Sequence, residues 1–184
     1  MTTRRVLLLG LALAPALPAA ARAASEEDER RERESRAVRD SVAAEQASAV
    51  AFEAIANSDV LDEGAAATMR VLLDHSKTHA TVLADAYERA TSEDPPLPPR
   101  RAEIPGVKGI RTRRGALRLA ERIEDAVVAT HLDTARLTRN STILKLVGGA
   151  MGTDAQHLVM LRELLGEHGA PDAFERGGPR SALP

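Results

Sequence analysis

The chain has 184 residues, enough for one compact domain with a leader and a tail. Its hydrophobic share of 43% comes mostly from Ala, Leu and Val, and its aromatic residues are only Phe52, Tyr87 and Phe174. This composition favours helices over strands. The absence of Cys excludes disulfides and thiolate metal sites. The formal net charge of −2 provides no excess of basic residues for binding nucleic acid.

Residues 1–23 have the pattern of a signal peptide. Arg4 and Arg5 precede an apolar run over residues 6–17, and an Ala-Arg-Ala cleavage pattern follows at residues 21–23. The run is too short for a stable membrane span, so we expect cleavage after Ala23 and export to the periplasm, the cell envelope or the medium. The paired arginines also fit a twin-arginine signal, so that route and the general secretory route both stay open. Cleavage would remove three basic residues and no acidic one, which leaves 22 basic and 27 acidic residues.

The next part of the chain predicts a first pair of helices. Residues 24–37 are rich in charges of both signs and predict a helical extension or a frayed tail. Beyond them, apolar residues recur every three or four positions, and turn residues at 57–59 end the first helix. Asp59 or Asp62 can cap the second helix. The two stripes comprise Val38, Val42, Glu45, Ala49, Phe52 and Ala56, and then Ala65, Met69, Leu72, Ser76, His79, Leu83 and Ala86.

Residues 92–112 predict a long connection without regular structure. Four prolines lie within residues 95–99, and Pro105, Gly106 and Gly109 follow. A helix of about 25 residues spans roughly 38 Å, whereas about twenty extended residues can reach roughly 65 Å. The connection is therefore long enough to cross the whole bundle, so that the third helix starts parallel to the second. Simple up-and-down bundles need only short turns.

A second helical hairpin follows the connection. Turn residues at 140–142 separate its two helices, and the fourth helix ends near Gly166 or Gly169. The stripes comprise Leu117, Glu121, Glu124, Val128, His131 and Ala135, and then Leu144, Val147, Met151, Asp154, His157, Leu161 and Leu164. Residues 169–184 contain Pro, Gly and Arg and predict a disordered tail. The sequence thus predicts an all-α fold, a four-helix bundle over residues 38–168 made of two hairpins joined by a crossover.

Both hairpins carry the same polar pattern on their apolar stripes. A carboxylate, Glu45 or Glu124, is followed after about thirty residues by a polar residue three places before a histidine. A charge on an apolar stripe is costly unless it is paired or bound to a metal. A repeated Glu and Glu-x-x-His set is how some four-helix bundles hold two divalent metal ions. Carboxylates with imidazoles suit iron or manganese.

The candidate ligand set lacks one carboxylate. Its members are Glu45, His79, Glu124, Asp154 and His157, and Ser76 occupies the position where a second bridging carboxylate is needed. Asp154, the other bridge, is one methylene shorter than Glu. Three residues offer a substitute for the missing carboxylate. These are His75, which points about 100° away from Ser76 around the helix, Glu121, one turn before Glu124, and His131, two turns after it, which is either an extra ligand or a packed core histidine.

Four segments carry a resemblance to a known family, namely EQASAVAFEAIANS, LLDHSKTHATVLADAYE, LAERIEDAVVATHLDTA and GAMGTDAQHLVMLRELLG. Over residues 38–168 the chain resembles exported bacterial ferritin-like domain proteins, which are distantly related to ferritin, bacterioferritin and the desiccation-related ferritin-like proteins. The second helix of such proteins commonly reads H-E-x-x-H, whereas residues 75–79 here read His-Ser-Lys-Thr-His. The resemblance implies a ferritin-like fold and an iron site, and Ser76 puts the two-iron chemistry in doubt.

Two functions from different classes remain open. The first is an exported metal-binding protein with an asymmetric or degenerate iron or manganese site, which holds one ion tightly and the second weakly or not at all. It would act in iron handling or in oxidative or desiccation stress, and any enzyme activity would be ferroxidase-like, although the missing bridge argues against turnover. The second is a metal-free bundle with a structural or interaction role in the envelope. Both are compatible with a homodimer, and neither predicts a nucleic-acid partner.

Overall fold

The computed structural model describes residues 19–171 and 177–184. These residues form four long helices and no strand: α1 (Ala19–Ala56), α2 (Glu63–Thr91), α3 (Arg113–Leu137) and α4 (Ser141–Leu164). The prediction of an all-α four-helix bundle is confirmed. Most of the leader lies outside the described residues, so cleavage and export stay predictions. Within the described residues, no helix is both long and apolar enough to cross a membrane.

Side-chain caps fix where three of the helices begin. Asp62 Oδ1 accepts a hydrogen bond from the backbone N–H of Ala65 at 2.8 Å, so Asp62, and not Asp59, caps α2. Thr112 Oγ1 accepts from Gly115 at 3.1 Å and starts α3. Asn140 Oδ1 accepts from the backbone N–H groups of Thr142 and Ile143 in the first turn of α4, at 3.0 and 3.2 Å. Each cap satisfies backbone donors that have no partner within the helix.

The second and third helices run parallel, as the length of the connection predicts. Contacts between α1 and α3 pair Ser41 with Thr134 and Glu45 with His131. As the residue number increases along α1, that of the partner on α3 decreases, so these two helices are antiparallel. The contacts of Glu45 with His79 and of Glu53 with Lys77 make α1 antiparallel to α2 in the same way. Two helices that are both antiparallel to α1 are parallel to each other. The connection between them is the single crossover typical of ferritin-like bundles.

The crossover is more regular than its prolines predict. Two short 3₁₀ helices, Arg101–Glu103 and Val107–Gly109, interrupt residues 92–112. Ile104 and Val107 are each 3% exposed and pack into the core of the bundle. The expectation of no regular element was therefore wrong in detail, because two buried aliphatic side chains hold the loop against the helices and allow single turns to form.

The core consists of two apolar clusters with a polar layer between them. The larger cluster contains Phe52, Ile55, Met69, Leu72, Leu117, Ile123 and Leu161 among others. The smaller one contains Val38, Val42, Leu83, Ala86, Tyr87, Ile143 and Val147. Along α2 and α4, the buried polar residues Ser76, Asp154 and His157 lie between the positions that belong to the two clusters. The stripes predicted from the sequence are therefore core faces, and the polar residues on them share one layer.

Both ends of the domain differ from simple tails. The charged extension continues α1 back to Ala19, and Glu34 Oε1 accepts from the backbone N–H groups of Arg139 and Asn140 at 3.0 and 3.2 Å. At the other end, Gly178 donates its N–H to the Asp125 carbonyl at 2.8 Å, beside an ion pair between Arg180 and Asp133. The composition predicts disorder over residues 169–184, but residues 177–184 lie against α3, because backbone and charged contacts hold this segment and Ala182 packs into the larger apolar cluster.

Candidate metal centre

Each helix contributes at least one side chain to the polar layer. Glu45 comes from α1, Glu124 from α3 and Asp154 from α4, and all three carboxylates have an exposure of 0%. His157 from α4 is 1% exposed, whereas the His79 side chain from α2 is 16% exposed. The antiparallel pairing of neighbouring helices brings these positions to one level of the bundle. The five ligands predicted from the sequence therefore lie together.

One group of possible metal donors contains Glu45, His79 and Asp154, with ligand atoms that all lie within 4.8 Å of one another. His79 Nδ1 is 3.1 Å from Glu45 Oε1 and 3.4 Å from Asp154 Oδ1. His131, from α3, is not part of this group, but its Nε2 is 2.9 Å from Glu45 Oε1 and 3.5 Å from Asp154 Oδ2. Two imidazoles from different helices thus face the same pair of carboxylates.

A second group of possible donors contains Glu124, Asp154 and His157, within the same 4.8 Å limit. His157 Nδ1 is 2.7 Å from Glu124 Oε1 and 3.8 Å from Asp154 Oδ1. The other ring nitrogen, Nε2, is 2.8 Å from Nδ1 of His75, an exposed residue of α2. Asp154 belongs to both groups, so it is the residue that could be shared by two ions, and its role as a bridging carboxylate stays a prediction.

Several oxygen atoms of this layer are buried without a hydrogen-bond partner. They are Oε2 of Glu45, Oε2 of Glu124 and both carboxylate oxygens of Asp154. The hydroxyl of Ser76, also 0% exposed, has no partner either. Unpaired carboxylate oxygens are costly in an interior, because they lose water and gain no donor. Divalent cations in the two donor groups would satisfy these carboxylate oxygens, and the combination of carboxylates with imidazoles fits iron or manganese.

Burial and mutual repulsion separate the pKa values of the carboxylic acids. Burial, and then the charges of Asp154 and Glu45, raise the pKa of Glu124 well above its usual value. Burial and the Glu45 charge raise the pKa of Asp154 to about 6, in spite of contacts with His79 and His131. Burial would also raise the pKa of Glu45, but hydrogen bonds from His131 and His79 outweigh it and lower this pKa. Glu45 is therefore the acid of the layer that ionises most readily.

The pKa values of the two predicted histidine ligands shift in opposite directions. Burial alone would lower the pKa of His79, but its contacts with Asp154 and Glu45 raise it to about 10. Burial, and then the positive charges of His75 and His79, lower the pKa of His157 to about 4. A neutral His157 accepts a hydrogen bond at Nδ1, and a protonated Glu124 can donate it. Without metal, both shifts favour the protonated forms of His79 and Glu124 and so reduce the net charge of the layer.

The three substitutes for the missing carboxylate have different surroundings. Glu121 does not lie in the layer, because its two carboxylate oxygens pair with Arg118 at 2.6 Å and Arg162 at 3.4 Å. Glu121 belongs to neither donor group, and Arg118 on α3 and Arg162 on α4 engage its side chain instead. His75 contacts His157 rather than a carboxylate. His131 is buried, and its Nε2 lies 2.9 Å from Glu45 Oε1. It is therefore a core histidine that also contacts a candidate ligand.

Two residues of the polar layer were missed by the sequence reasoning. Ser41 is 0% exposed and Thr134 is 1% exposed, and their hydroxyl oxygens are 2.8 Å apart. Ser41 Oγ also lies 3.0 Å from Nδ1 of His131. A signal was present, because Ser41 precedes Glu45 by four residues and Thr134 follows His131 by three, and both spacings put side chains on one helix face. Small hydroxyl residues are common on helices, so this signal is weak without the contacts.

Comparison with known proteins gives the family of the chain. Comparison with curated proteins and with solved structures yields no match. The family model described as "Ferritin-like domain" matches residues 36–167, most of the described bundle and all four helices that carry the polar layer. The crossover between parallel α2 and α3, and the place of Asp154 in both donor groups, agree with that match. The chain therefore belongs to the ferritin-like domain family.

Proposed function

We propose that this chain is an exported ferritin-like protein that binds iron or manganese at the polar layer. The observation that carries the proposal is the set of four carboxylate oxygens, from Glu45, Glu124 and Asp154, that are buried without a hydrogen-bond partner. Evolved interiors rarely retain such atoms unless something satisfies them. Two histidine Nδ1 atoms lie within 4 Å of these carboxylates, which supports a transition metal over calcium or magnesium.

The arrangement supports an asymmetric site. One ion would be held by Glu45, His79 and Asp154, and a second by Glu124, His157 and the shared Asp154. When bound, iron supplies one-electron chemistry toward dioxygen or peroxide. The protein side chains orient the ions, exclude water from the carboxylates and hold protons at His79 and Glu124 until metal enters. The hydroxyl of Ser76 cannot bridge two ions, which favours binding and handling of the metal over rapid turnover.

Metal analysis of tag-free protein tests this proposal. The mature protein should bind one equivalent of Mn²⁺ or anaerobic Fe²⁺ tightly, and Glu45→Gln should weaken that binding by at least about tenfold. Glu53→Gln is a matched control on the same helix, since Glu53 is exposed and belongs to neither donor group. A natural protein that takes up no ion in titration would contradict the proposal, and equal binding by both variants would place any bound ion elsewhere.

A metal-free structural bundle is the rival function. The observation that favours it is the raised pKa of His79 and of Glu124, because both shifts lower the net charge of the layer in the absence of metal. In this case a chelator should leave the melting temperature unchanged. For a metal-binding protein, a saturating ion should raise the melting temperature, as any ligand that binds only the native state does.

Export is the part of the proposal that rests on the leader alone. The paired arginines, the apolar run over residues 6–17 and the Ala-Arg-Ala pattern support it. Roles in iron handling or in oxidative or desiccation stress outside the cytoplasm would follow from that location. N-terminal sequencing of the exported protein should find Ala24 first. Replacement of Arg4 and Arg5 by Lys should block export only if the twin-arginine route is used.

A further inference from the structure

The proton positions around His131 follow from counting hydroxyl hydrogens. Thr134 Oγ1 lies 2.8 Å from the Ala37 carbonyl and 3.0 Å from the Thr130 carbonyl. A carbonyl oxygen can only accept a hydrogen bond, so Thr134 must donate its single hydroxyl hydrogen to these carbonyl oxygens. Ser41 Oγ, 2.8 Å from Thr134 Oγ1, must then donate its own hydrogen to Thr134. Otherwise two oxygen lone pairs would face each other at that distance.

The tautomer of His131 is then determined. Ser41 Oγ has already used its hydrogen, so at 3.0 Å from His131 Nδ1 it can only accept. His131 therefore carries a proton on Nδ1, whether the ring is neutral or charged. The nitrogen left for any other interaction is Nε2, which lies 2.9 Å from Glu45 Oε1 and 3.5 Å from Asp154 Oδ2. A buried N–H donated to an oxygen acceptor is also the usual support of a metal-bound histidine.

We propose that His131 is a metal ligand through Nε2 and supplies a further donor beside Glu45 and Asp154 to a site that lacks a carboxylate at Ser76. This inference rests on the proposed metal-binding function and assigns the ligands within it. Two ligand atoms that each lie about 2.1 Å from one ion at right angles are about 3 Å apart. His131 Nε2 and His79 Nδ1 lie 2.9 Å and 3.1 Å from the same Glu45 oxygen. Glu45, His79 and Asp154 already lie within 4.8 Å of one another, and His131 would join them around the tighter ion by moving toward these three donors. The ion near Glu124 would be held by Glu124, Asp154 and His157.

Ser41 and Thr134 are positioning residues in this arrangement. They touch no ion themselves, but they hold the His131 ring in one tautomer and one orientation. Loss of such an outer hydrogen bond typically lowers metal affinity by about 10–100-fold. Ser41→Ala should therefore weaken the tighter ion by about that factor, and Ser41→Thr, which keeps the hydroxyl, should restore the affinity of the natural protein. A merely structural role for Ser41 would change the melting temperature of the metal-free protein without changing the ¹⁵N signature of the His131 tautomer.

The natural protein provides the first test, with no substitution. With one equivalent of Mn²⁺ bound to protein labelled with ¹⁵N in histidine, pulsed electron–nuclear resonance should find two directly bound nitrogens. One bound nitrogen would overturn the assignment of His131. In metal-free protein, long-range ¹H–¹⁵N spectra should find the His131 proton on Nδ1, and a proton on Nε2 alone would overturn the tautomer on which the proposal depends.

Substitutions separate this inference from the proposed function. His131→Ala should lower the Co²⁺ affinity of the tighter site by at least about 100-fold, and adding Ser76→Glu to that variant should restore much of the affinity. His157→Ala, in the other group, should leave the count of two bound nitrogens unchanged. If the natural protein binds Co²⁺ and His131→Ala binds it equally well, the ligand assignment is wrong and the metal-binding function stands. If the natural protein binds no Co²⁺ or Mn²⁺, both are wrong.

Discussion

His75 Nδ1 lies 2.8 Å from Nε2 of His157, so an exposed histidine of α2 contacts a buried one of α4. His157 uses its other nitrogen, Nδ1, toward Glu124 at 2.7 Å. The two rings are stacked, with centroids 5.1 Å apart. His75 therefore supports the orientation of a candidate ligand from the solvent side, and its contact links the candidate metal centre to the surface between α2 and α4.

The first prediction concerns this contact. His75→Ala should weaken the ion held by Glu124, Asp154 and His157 by about tenfold, because His157 loses a partner that fixes its ring. The stability of the metal-free protein should change by less than about 0.5 kcal/mol, since His75 is exposed. Two-site titration with Mn²⁺ and urea unfolding measure the two quantities. His168→Ala, outside both donor groups, should change neither, and an equal affinity loss in this control would contradict the assigned role.

The second prediction is that metal affinity rises with pH. The pKa of His79 is about 10, so the ring is protonated at pH 7 and must release that proton in order to bind an ion. Between pH 6 and 8, Mn²⁺ affinity should therefore increase by about tenfold per pH unit for each proton released. Below about pH 6, the dependence should become steeper, because Asp154 also becomes protonated. The pKa of His157 is about 4, so this residue adds no proton in that range.

Calorimetry measures this proton release directly. Titrations of Mn²⁺ in two buffers with different ionisation enthalpies should give heats that differ by the number of protons released. Affinity that stays constant from pH 6 to 8 would mean that His79 is neutral there or does not bind the ion. In that case the contacts of His79 with Glu45 and Asp154 would not govern metal uptake.

The third prediction concerns the metal-free protein at alkaline pH. The pKa of His79 in the folded protein, about 10, lies above its ordinary value of 6.5. The folded state thus holds a proton that the unfolded state has lost, and the resulting stability is complete below pH 6.5 and declines as the pH rises toward 10. The free energy of unfolding should fall by at most about 1.4 kcal/mol per pH unit in this window. Urea unfolding in chelator at pH 7, 8 and 9 measures the slope, and His79→Gln should flatten it.

The fourth prediction concerns the start of the second and third helices. Asp62 caps α2 through Oδ1 and accepts from Arg113 Nε through Oδ2 at 2.7 Å, so one side chain holds both helix starts. Asp62→Ala should lower the midpoint of urea unfolding, mostly through the lost cap, because the ion pair is largely exposed. Asp59→Ala is the matched control, since Asp59 is exposed and does not cap the helix. Equal losses in the two variants, measured by urea unfolding, would contradict this role of Asp62.

The fold was predictable because local and long-range signals agree. The apolar stripe of α1 around Phe52, and its end after Ala56, follow from helical spacing and turn residues. The parallel run of α2 and α3 follows from the length of the connection alone. The packing of Ile104 against the core and of Gly178 against α3 was not predictable, because these contacts join segments whose own composition predicts irregular structure.

The candidate site was predictable only where the pattern repeats. Glu45 and Glu124 occupy equivalent places in two similar hairpins, and that equivalence made them stand out from the other acidic residues. His131 has no counterpart in the first hairpin, so spacing alone could not separate a ligand from a core histidine. Glu121 has the right spacing, but Arg118 and Arg162 engage it. Helical phase gives the face of a residue, whereas the partner on a neighbouring helix decides what its side chain contacts.

The last prediction tests whether Ser76 occupies the position of a lost metal ligand or a position in a metal-free bundle. Its hydroxyl is buried without a partner, one turn from His79. If the layer frames a two-metal site, Ser76→Glu should supply the missing bridge, and the variant should bind about two Fe²⁺ per chain and oxidise Fe²⁺ faster than the natural protein. In a metal-free bundle, the same change would bury a fourth carboxylate beside Glu45, Glu124 and Asp154. Desolvation and repulsion would then destabilise the fold by roughly several kcal/mol or force a proton onto the new side chain.

Anaerobic Fe²⁺ titration and thermal melts of both proteins, with and without the ion, distinguish these outcomes. A variant that is less stable in chelator but regains stability with Fe²⁺ would identify the layer as a metal site that lost one ligand. Ser76→Gln is the matched control, because it adds similar volume without a charge and should not raise the number of ions bound. A Glu variant that is less stable and still takes up no Fe²⁺ would exclude a two-metal site, since the two donor groups already contain the five other candidate ligands.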